Sequence, residues 1–457
     1  MFVGGCGVAG ELERSADDPF GVPDRVLGLL EELLGVKFLE QAGTARVGGM
    51  KREAEMRIVR ELLRQLDENV NIDAGVQMVN PTSSYTCVDQ AQREWDELFR
   101  GHPQLIGLSS DLPDPHSYLT IDDFGIPVLA TRDGQGRFRA FLNACRHRGV
   151  RLAHDVRGST RRHTCVFHNW SYDTGGALVG IPREHDFGEV DRSCNDLVEL
   201  PAEERHGMLW VHPRPEGVLD LDELLGGLDE ELAEWNLGDF VYLGESVIEK
   251  DLNWKLANDT FGETYHFERL HQKTLGQLFH GDALHYETFG RNHRFCFASR
   301  LIDQMRTLPE DEWGIRGNVN VLYYLFPNIQ LNVGGSVSLI RIYPDAANPG
   351  TSITKIGHYF SPADIEAAAA AEVIDLDQVY TFGEERRALS LAASMEVFDS
   401  TVEQEDYLMG ETTQKAAESG LLDRVIFGRN EPALHHYHNT FRAALGQPPL
   451  EVLDAAT

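Results

Sequence analysis

Apolar residues recur every three to four positions over residues 52–69, with Met56, Val59, Leu63 and Leu66 on one face. That spacing predicts an amphipathic helix. A second helix is expected near Gln90 to Phe99. From about 104 to 215 short apolar runs alternate with Gly/Asp turns, as in Ala130-Thr-Arg-Asp-Gly-Gln-Gly-Arg137, which predicts an antiparallel β domain. Leu219 to Trp235 reads as a helical linker. Beyond it, Asn318 to Tyr324, Ile329 to Val333 and Val337 to Ile342 read as adjacent strands of a curved antiparallel sheet, interrupted by Phe326-Pro-Asn328 and Tyr343-Pro344. A long helix from Pro362 to Val373 and a late acidic helix are expected to pack on that sheet. Near the start, Pro23 opens a Leu-dense helical stretch, Asp24 to Gln41, and Ala42 to Gly49 reads as a linker. The expected class is α+β. The segments are an extension (1–49), N-terminal helices packing on the catalytic domain (50–103), the β domain (104–215) and the catalytic domain (216–457).

Composition narrows the function. The 457 residues suffice for two domains. A net charge of −32 argues against non-specific nucleic-acid binding. No apolar run approaches the length of a membrane span. The N-terminus has no basic region of the kind that opens a signal peptide. Of the six cysteines, four show no framework spacing. Free thiols suit a reducing cytoplasm, the expected location. Against the acidic background, residues 145–168 hold six arginines and one aspartate. They read either as packing around loops or as a docking face for an acidic redox partner, where complementarity raises the encounter rate.

Two ligand patterns carry the chemistry. The first is Cys145-Arg-His147, then Cys165-Val-Phe-His168. Two thiolates and two imidazoles are the set a Rieske cluster needs, with Cys on one iron and His on the other. A structural zinc site also uses Cys and His. Zinc fingers, however, usually open with a Cys pair and close with a His pair, whereas here each half mixes the two. The second pattern is Glu263-Thr-Tyr-His266, then His271. Two His and a carboxylate on one face of a metal, with open positions, make the site of non-haem Fe(II) oxygenases. On an ideal helix at about 100° per residue, His266 and His271 would point roughly 140° apart. The segment is therefore expected to be distorted between them, as π-type irregularities often are at functional sites. Six later carboxylates offer a third ligand: Glu396, Asp399, Glu403, Glu405, Asp406 and Glu411. The alternative is a solvated acidic helix face.

Over residues 85–430 these motifs and their flanks resemble ring-hydroxylating oxygenase α subunits. The flanks are Asn143-Ala-Cys-Arg-His-Arg-Gly149, His168-Asn-Trp170-Ser-Tyr-Asp173 and Asn253-Trp-Lys255. The family usually has His-Gly-Trp where this chain has His168-Asn169-Trp170. If the position needs a left-handed backbone, Asn is the next residue able to supply it. The resemblance implies a Rieske domain with a [2Fe-2S] cluster on Cys145, His147, Cys165 and His168. It implies a helix-grip catalytic domain with mononuclear Fe(II) on His266, His271 and Asp406, the last placed by a Glu-Asp pair followed by Met409. Glu263 would bridge electrons between subunits of a homotrimer. A glutamate there is common in the branch resembling choline and carnitine monooxygenases. Asp259-Thr260 stands where the family often has Glu-Asn. Electrons would come from NAD(P)H through a separate reductase or ferredoxin, since no nucleotide-binding glycine motif follows a strand. The implied reaction is hydroxylation of an aromatic or other apolar compound. A second reading is oxidation of a quaternary ammonium compound held by an aromatic cage, for which Tyr286, Phe289, Phe295 and Phe297 are candidates. An electron-transfer-only protein is a third.

Overall fold

The computed structural model describes residues 49–345, 347–370 and 391–453. The helix expected over 24–41, and the end of the one expected from Pro362, lie outside them. The helix Arg52–Glu68 buries Met56, Ile58, Val59, Leu62 and Leu63 and stops at Asn69, whose φ is 50°. The expected second helix is present as Val88–Glu94 running into a π turn, Trp95–Phe99.

The β-rich half contains β2 (Gln104–Leu108) to β12 (Met208–Val211), preceded by β1 (Gln77–Pro81). Its largest sheet has the order β10 (Glu199–Leu200), β5 (Phe138–Leu142), β4 (Val128–Arg132), β3 (Ser117–Ile121), β6 (Arg157–Ser159). A separate sheet of β7 (Arg162–Thr164), β8 (Ser171–Asp173) and β9 (Leu178–Gly180) carries the second Cys/His loop. In the turn between β4 (Val128–Arg132) and β5 (Phe138–Leu142), Asp133 accepts the backbone N–H groups of Gln135 and Arg137.

The second half is built on seven antiparallel strands: β13 (Val241–Lys250), β14 (Phe279–Phe289), β15 (Asn292–Ser299), β16 (Val319–Leu325), β17 (Ile329–Val333), β18 (Ser336–Pro344) and β19 (Ser352–Phe360). Their order in the sheet is β13-β19-β18-β17-β16-β15-β14. Alternation along each strand divides the side chains between two cores. Phe295, Phe297, Leu322, Tyr324 and Ile340 face one. Cys296, Val321, Tyr323, Leu331 and Leu339 face the other, together with the Arg52–Glu68 helix and the helical linker. Both faces are covered, so β16 (Val319–Leu325) reads as an almost continuous apolar run. The break expected at Tyr343-Pro344 is absent: β18 runs from Ser336 through Pro344, which pairs with Ser352 at its end. Proline is tolerated where no ladder donor is needed. The linker is two short helices, Leu221–Leu225 and Asp229–Ala233. β1 lies between β20 (Arg424–Phe427) and β21 (Glu451–Leu453), tying an early strand to the last described residues. Among the described residues no helix is long and apolar enough to cross a membrane.

Candidate metal centres

The first centre is two loops with the same backbone bonds. In one, the Cys145 N–H donates to Val150 O and the Gly149 N–H donates to Cys145 O, each at 2.8 Å. In the other, the Cys165 N–H donates to Trp170 O and the Asn169 N–H to Cys165 O, also at 2.8 Å. The residue four after each cysteine turns left-handed: Gly149 has φ 75° and Asn169 φ 57°. The Asn that departs from His-Gly-Trp therefore meets the same conformational demand as Gly149. Asn143 braces the first loop, accepting the Leu152 and Ala153 N–H groups and donating to Ala153 O.

The thiols of Cys145 and Cys165 are buried and unbridged. The imidazoles of His147 and His168 sit toward the surface, ring centroids 4.6 Å apart, with His147 stacked on Trp170 at 5.0 Å. Val166, Phe167 and Phe187 are exposed beside them, and Arg148 lies over the Phe167 ring. A single zinc ion would draw four donor atoms to one point. Among the described residues the group of donors drawn together, within 4.8 Å of one another, is His266, His271 and Asp406. Buried sulfur on one side and imidazole on the other fit a two-iron cluster. One partner was missed in the sequence: the Tyr172 hydroxyl lies 3.5 Å from Cys145 Sγ and accepts the Arg146 N–H at 3.0 Å. Its position in the Trp-Ser-Tyr flank was the available signal.

The converging group is His266, His271 and Asp406. Asn253 caps the helix Trp254–Asp259 by accepting the Lys255 N–H. Trp254 Nε1 and Lys255 Nζ both donate to the buried Glu94, at 2.9 and 2.6 Å. The Asn-Trp-Lys lead-in thus anchors the segment to the N-terminal helices. The helix ends at Asp259, and both histidines lie on a run of turns. His271 O accepts the Thr274 N–H and also the Gly276 N–H five residues on. The expected distortion is there, as turns rather than as a kinked helix. The His266 and His271 Nε2 atoms are 3.1 Å apart, and Asp406 Oδ1 is 3.2 Å from the first and 3.1 Å from the second. Asp406 ends a π turn, Val402–Asp406, within the late helix.

The remaining carboxylates point elsewhere. Asp399 accepts from Ser246 and pairs with His358, Glu403 pairs with Lys250 at 3.3 Å, and Glu411 accepts the Asp251 N–H. Glu396 lies on the preceding helix, Leu391–Thr401. Glu405 is buried 2.7 Å from His271 Nδ1, the opposite side of the ring from Asp406. Glu263 meets His266 Nδ1 and accepts the His266 N–H at 3.2 Å. Burial lowers the pKa of both imidazoles, but Glu263 and Asp406 raise His266 to about 10. Asp406 likewise raises His271 to about 9. Burial would raise the Asp406 carboxyl, yet His271 and His266 hold it down at about 2. A carboxylate and two imidazoles so arranged are the donor set that suits ferrous iron with open positions.

Phe267 lies edge-on to His266 and His271, at 5.1 and 5.4 Å, and to Phe297 at 5.5 Å. Phe295 is next to Phe297. Tyr286 packs on His293 on the same side of the sheet. Phe289 belongs to the other core, near the Arg294 guanidinium. Residues 286 and 289 have opposite parity along one strand, so the four aromatic candidates do not form one cage. The Thr260 hydroxyl donates to Ala257 O in its own helix.

Residues 237–447 match the model of the ring hydroxylating alpha subunit (catalytic domain), and 102–195 match that of the Rieske [2Fe-2S] domain. Glycine betaine monooxygenase oxygenase subunit of Chromohalobacter salexigens is 30% identical over 181 residues, 39% of this chain and 40% of the relative. Benzene 1,2-dioxygenase subunit alpha of Pseudomonas putida is 30% identical over 188 residues, 40% of this chain and 42% of the relative. The chain thus aligns with about two fifths of the length of these curated relatives. Among solved structures, the quaternary ammonium Rieske monooxygenase CntA with L-carnitine has a TM-score of 0.64 at 18% identity, covering 81% of this chain and 96% of the other. Naphthalene 1,2-dioxygenase with indole bound gives 0.59 at 18%, covering 83% and 94%. With two loops suited to a [2Fe-2S] cluster, a triad suited to ferrous iron and both family models matched in order, the chain carries a Rieske [2Fe-2S] domain followed by the catalytic domain of a ring hydroxylating alpha subunit.

Proposed function

We propose that this chain is the terminal oxygenase component of a Rieske non-haem iron system. It would hydroxylate an organic substrate with dioxygen and electrons from NAD(P)H, delivered by a separate reductase or ferredoxin. The observation that carries this reading is the convergence of His266, His271 and Asp406 in a chain that also bears the Cys/His loops. An electron-transfer protein has no use for the second site. Cys145, Cys165, His147 and His168 would hold the cluster, and the triad would hold the iron. When bound, the cluster stores single electrons and the ferrous iron activates dioxygen. The chain's own residues orient and shield. Phe267 places apolar surface against both imidazoles, with Phe297 packed on it, and keeps water from that side. Glu263 and His266 keep partial exposure, with side-chain accessibilities of 16% and 18%. A neighbouring subunit can therefore reach the carboxylate.

We assign Glu263 as the electron bridge to a Rieske histidine of the next subunit in a homotrimer. A solved relative is described as revealing inter-subunit electron transfer. A head-to-tail contact of this kind closes into a ring. Sedimentation of the purified chain should give a trimer, and a fully active monomer excludes the bridge.

For the substrate we favour an aromatic or other apolar compound, because Phe267, Phe295 and Phe297 give the triad's surroundings an apolar wall. The second reading, a quaternary ammonium compound, is supported by the glycine betaine and carnitine enzymes among the relatives. Oxygen uptake with a surrogate reductase, measured against simple arenes, glycine betaine and carnitine, separates the two. Uptake coupled to product in none of them, with both metals loaded, excludes both classes as represented by these compounds.

A further inference from the structure

Glu405 was a rival for the third ligand, and its geometry gives it another task. Its Oε2 is 2.7 Å from His271 Nδ1 and accepts the Thr274 hydroxyl at 2.9 Å. His271 and Glu405 side chains are each 1% exposed. The other ring nitrogen, Nε2, faces Asp406 and His266 Nε2. The adjacent residues Glu405 and Asp406, on one π turn, therefore clasp a single imidazole from both sides. A carboxylate only accepts, so Glu405 keeps a hydrogen on Nδ1, and the nitrogen left to give up its proton to a metal is Nε2. Glu405 Oε1 is buried with no hydrogen-bond partner. Burying a carboxylate with an orphaned oxygen destabilises a fold. A side chain serving packing alone would be apolar.

We propose that Glu405 is a positioning residue of the mononuclear centre. It fixes the tautomer and plane of His271, so that Nε2 is presented to the metal. Thr274 holds the carboxylate in place. His266 has the matching arrangement, with Glu263 on its Nδ1. The two glutamates differ in setting. Glu263 keeps partial exposure and is assigned to a neighbouring subunit, whereas Glu405 is sealed inside and serves its own chain. The proposal rests on the triad being the iron site.

The test removes mononuclear iron from the oligomeric protein with a chelator that spares the cluster, then titrates Fe(II) anaerobically. Glu405→Leu, Glu405→Gln and Asp406→Ala are compared with wild type. Cluster absorbance reports folding in each. Partners that orient metal-bound histidines typically account for 10- to 100-fold in affinity. Glu405→Leu should weaken Fe(II) binding within that range and change the rhombicity of the nitric oxide adduct in EPR. Glu405→Gln keeps an acceptor for Nδ1–H and should restore part of both. Wild-type affinity and an unchanged adduct in Glu405→Leu overturn the proposal. If Glu405→Leu loses its cluster absorbance, Glu405→Ala, which also removes the acceptor, is read in its place, and wild-type affinity with an unchanged adduct there overturns the proposal. An Asp406→Ala protein that retains wild-type affinity overturns the triad and this proposal with it. Loss in Asp406→Ala with full retention in Glu405→Leu overturns the proposal alone.

Discussion

Single atoms decide how the two centres are tuned. The Tyr172 hydroxyl beside Cys145 Sγ is the one side-chain O–H within hydrogen-bond range of that sulfur among the described residues. Hydrogen bonds to cluster sulfurs stabilise the reduced, more negative form and raise the potential. Tyr172→Phe should therefore lower it. A net contribution of about 1 kcal/mol corresponds to about 40 mV for one electron, readable by redox titration of the rhombic EPR signal. An unchanged potential would show that the hydroxyl serves only the Arg146 N–H. Cys145→Ala or His168→Ala should abolish that signal altogether. At the proposed bridge, Glu263→Gln keeps the size of the side chain but loses the charge-assisted hydrogen bond. Both metals should stay bound and the cluster should still reduce, while turnover collapses. Near-normal turnover excludes the bridging role.

Elements were legible where backbone chemistry left a trace. The left-handed demand at 169 could be read from Asn standing where Gly is usual, and φ 57° meets it. Asn169→Gly should keep cluster stability. Asn169→Ala should lower it by about 1 kcal/mol, the cost of a Cβ in that region, seen as bleaching of the cluster at lower temperature. Equal melting of the two variants would refute the conformational argument. The break between His266 and His271 was legible because a five-residue step cannot bring two imidazoles together on a regular helix. Glu405 was not legible in its present role. Adjacent carboxylates look alike in a sequence, and only the π turn shows one on each side of His271. Phe289 was misplaced because apolar residues occur on both faces of a sheet covered on both sides.

At the scale of the whole molecule, buried imidazoles set the response to acid. Burial holds His102 down at about 3 and His285 at about 4, with positive neighbours adding to the shift. Unfolded, both would titrate near 6.5. Between those values the unfolded chain binds more protons, so stability falls as pH falls. The contribution is fully present above about 6.5 and declines through the window down to about 4, by up to about 1.4 kcal/mol per pH unit for each group. Thermal melts of the metal-loaded protein should show that decline, and His285→Gln should make it shallower. An identical slope in the variant would place the acid sensitivity in the carboxylates.

The β20-β1-β21 sheet constrains the order in which the molecule can be completed. β1 ends at Pro81 and its first partner begins at Arg424. At ribosomal rates of about 5–20 residues per second, β1 waits roughly 20–70 s for a partner. Throughout that time both its edges present unpaired backbone groups, the template on which other chains can add. The Rieske half can be complete long before the clasp closes. Synthesis of Glu451–Leu453, rather than assembly of the cluster loops, is then the step that lets the last edge be sealed.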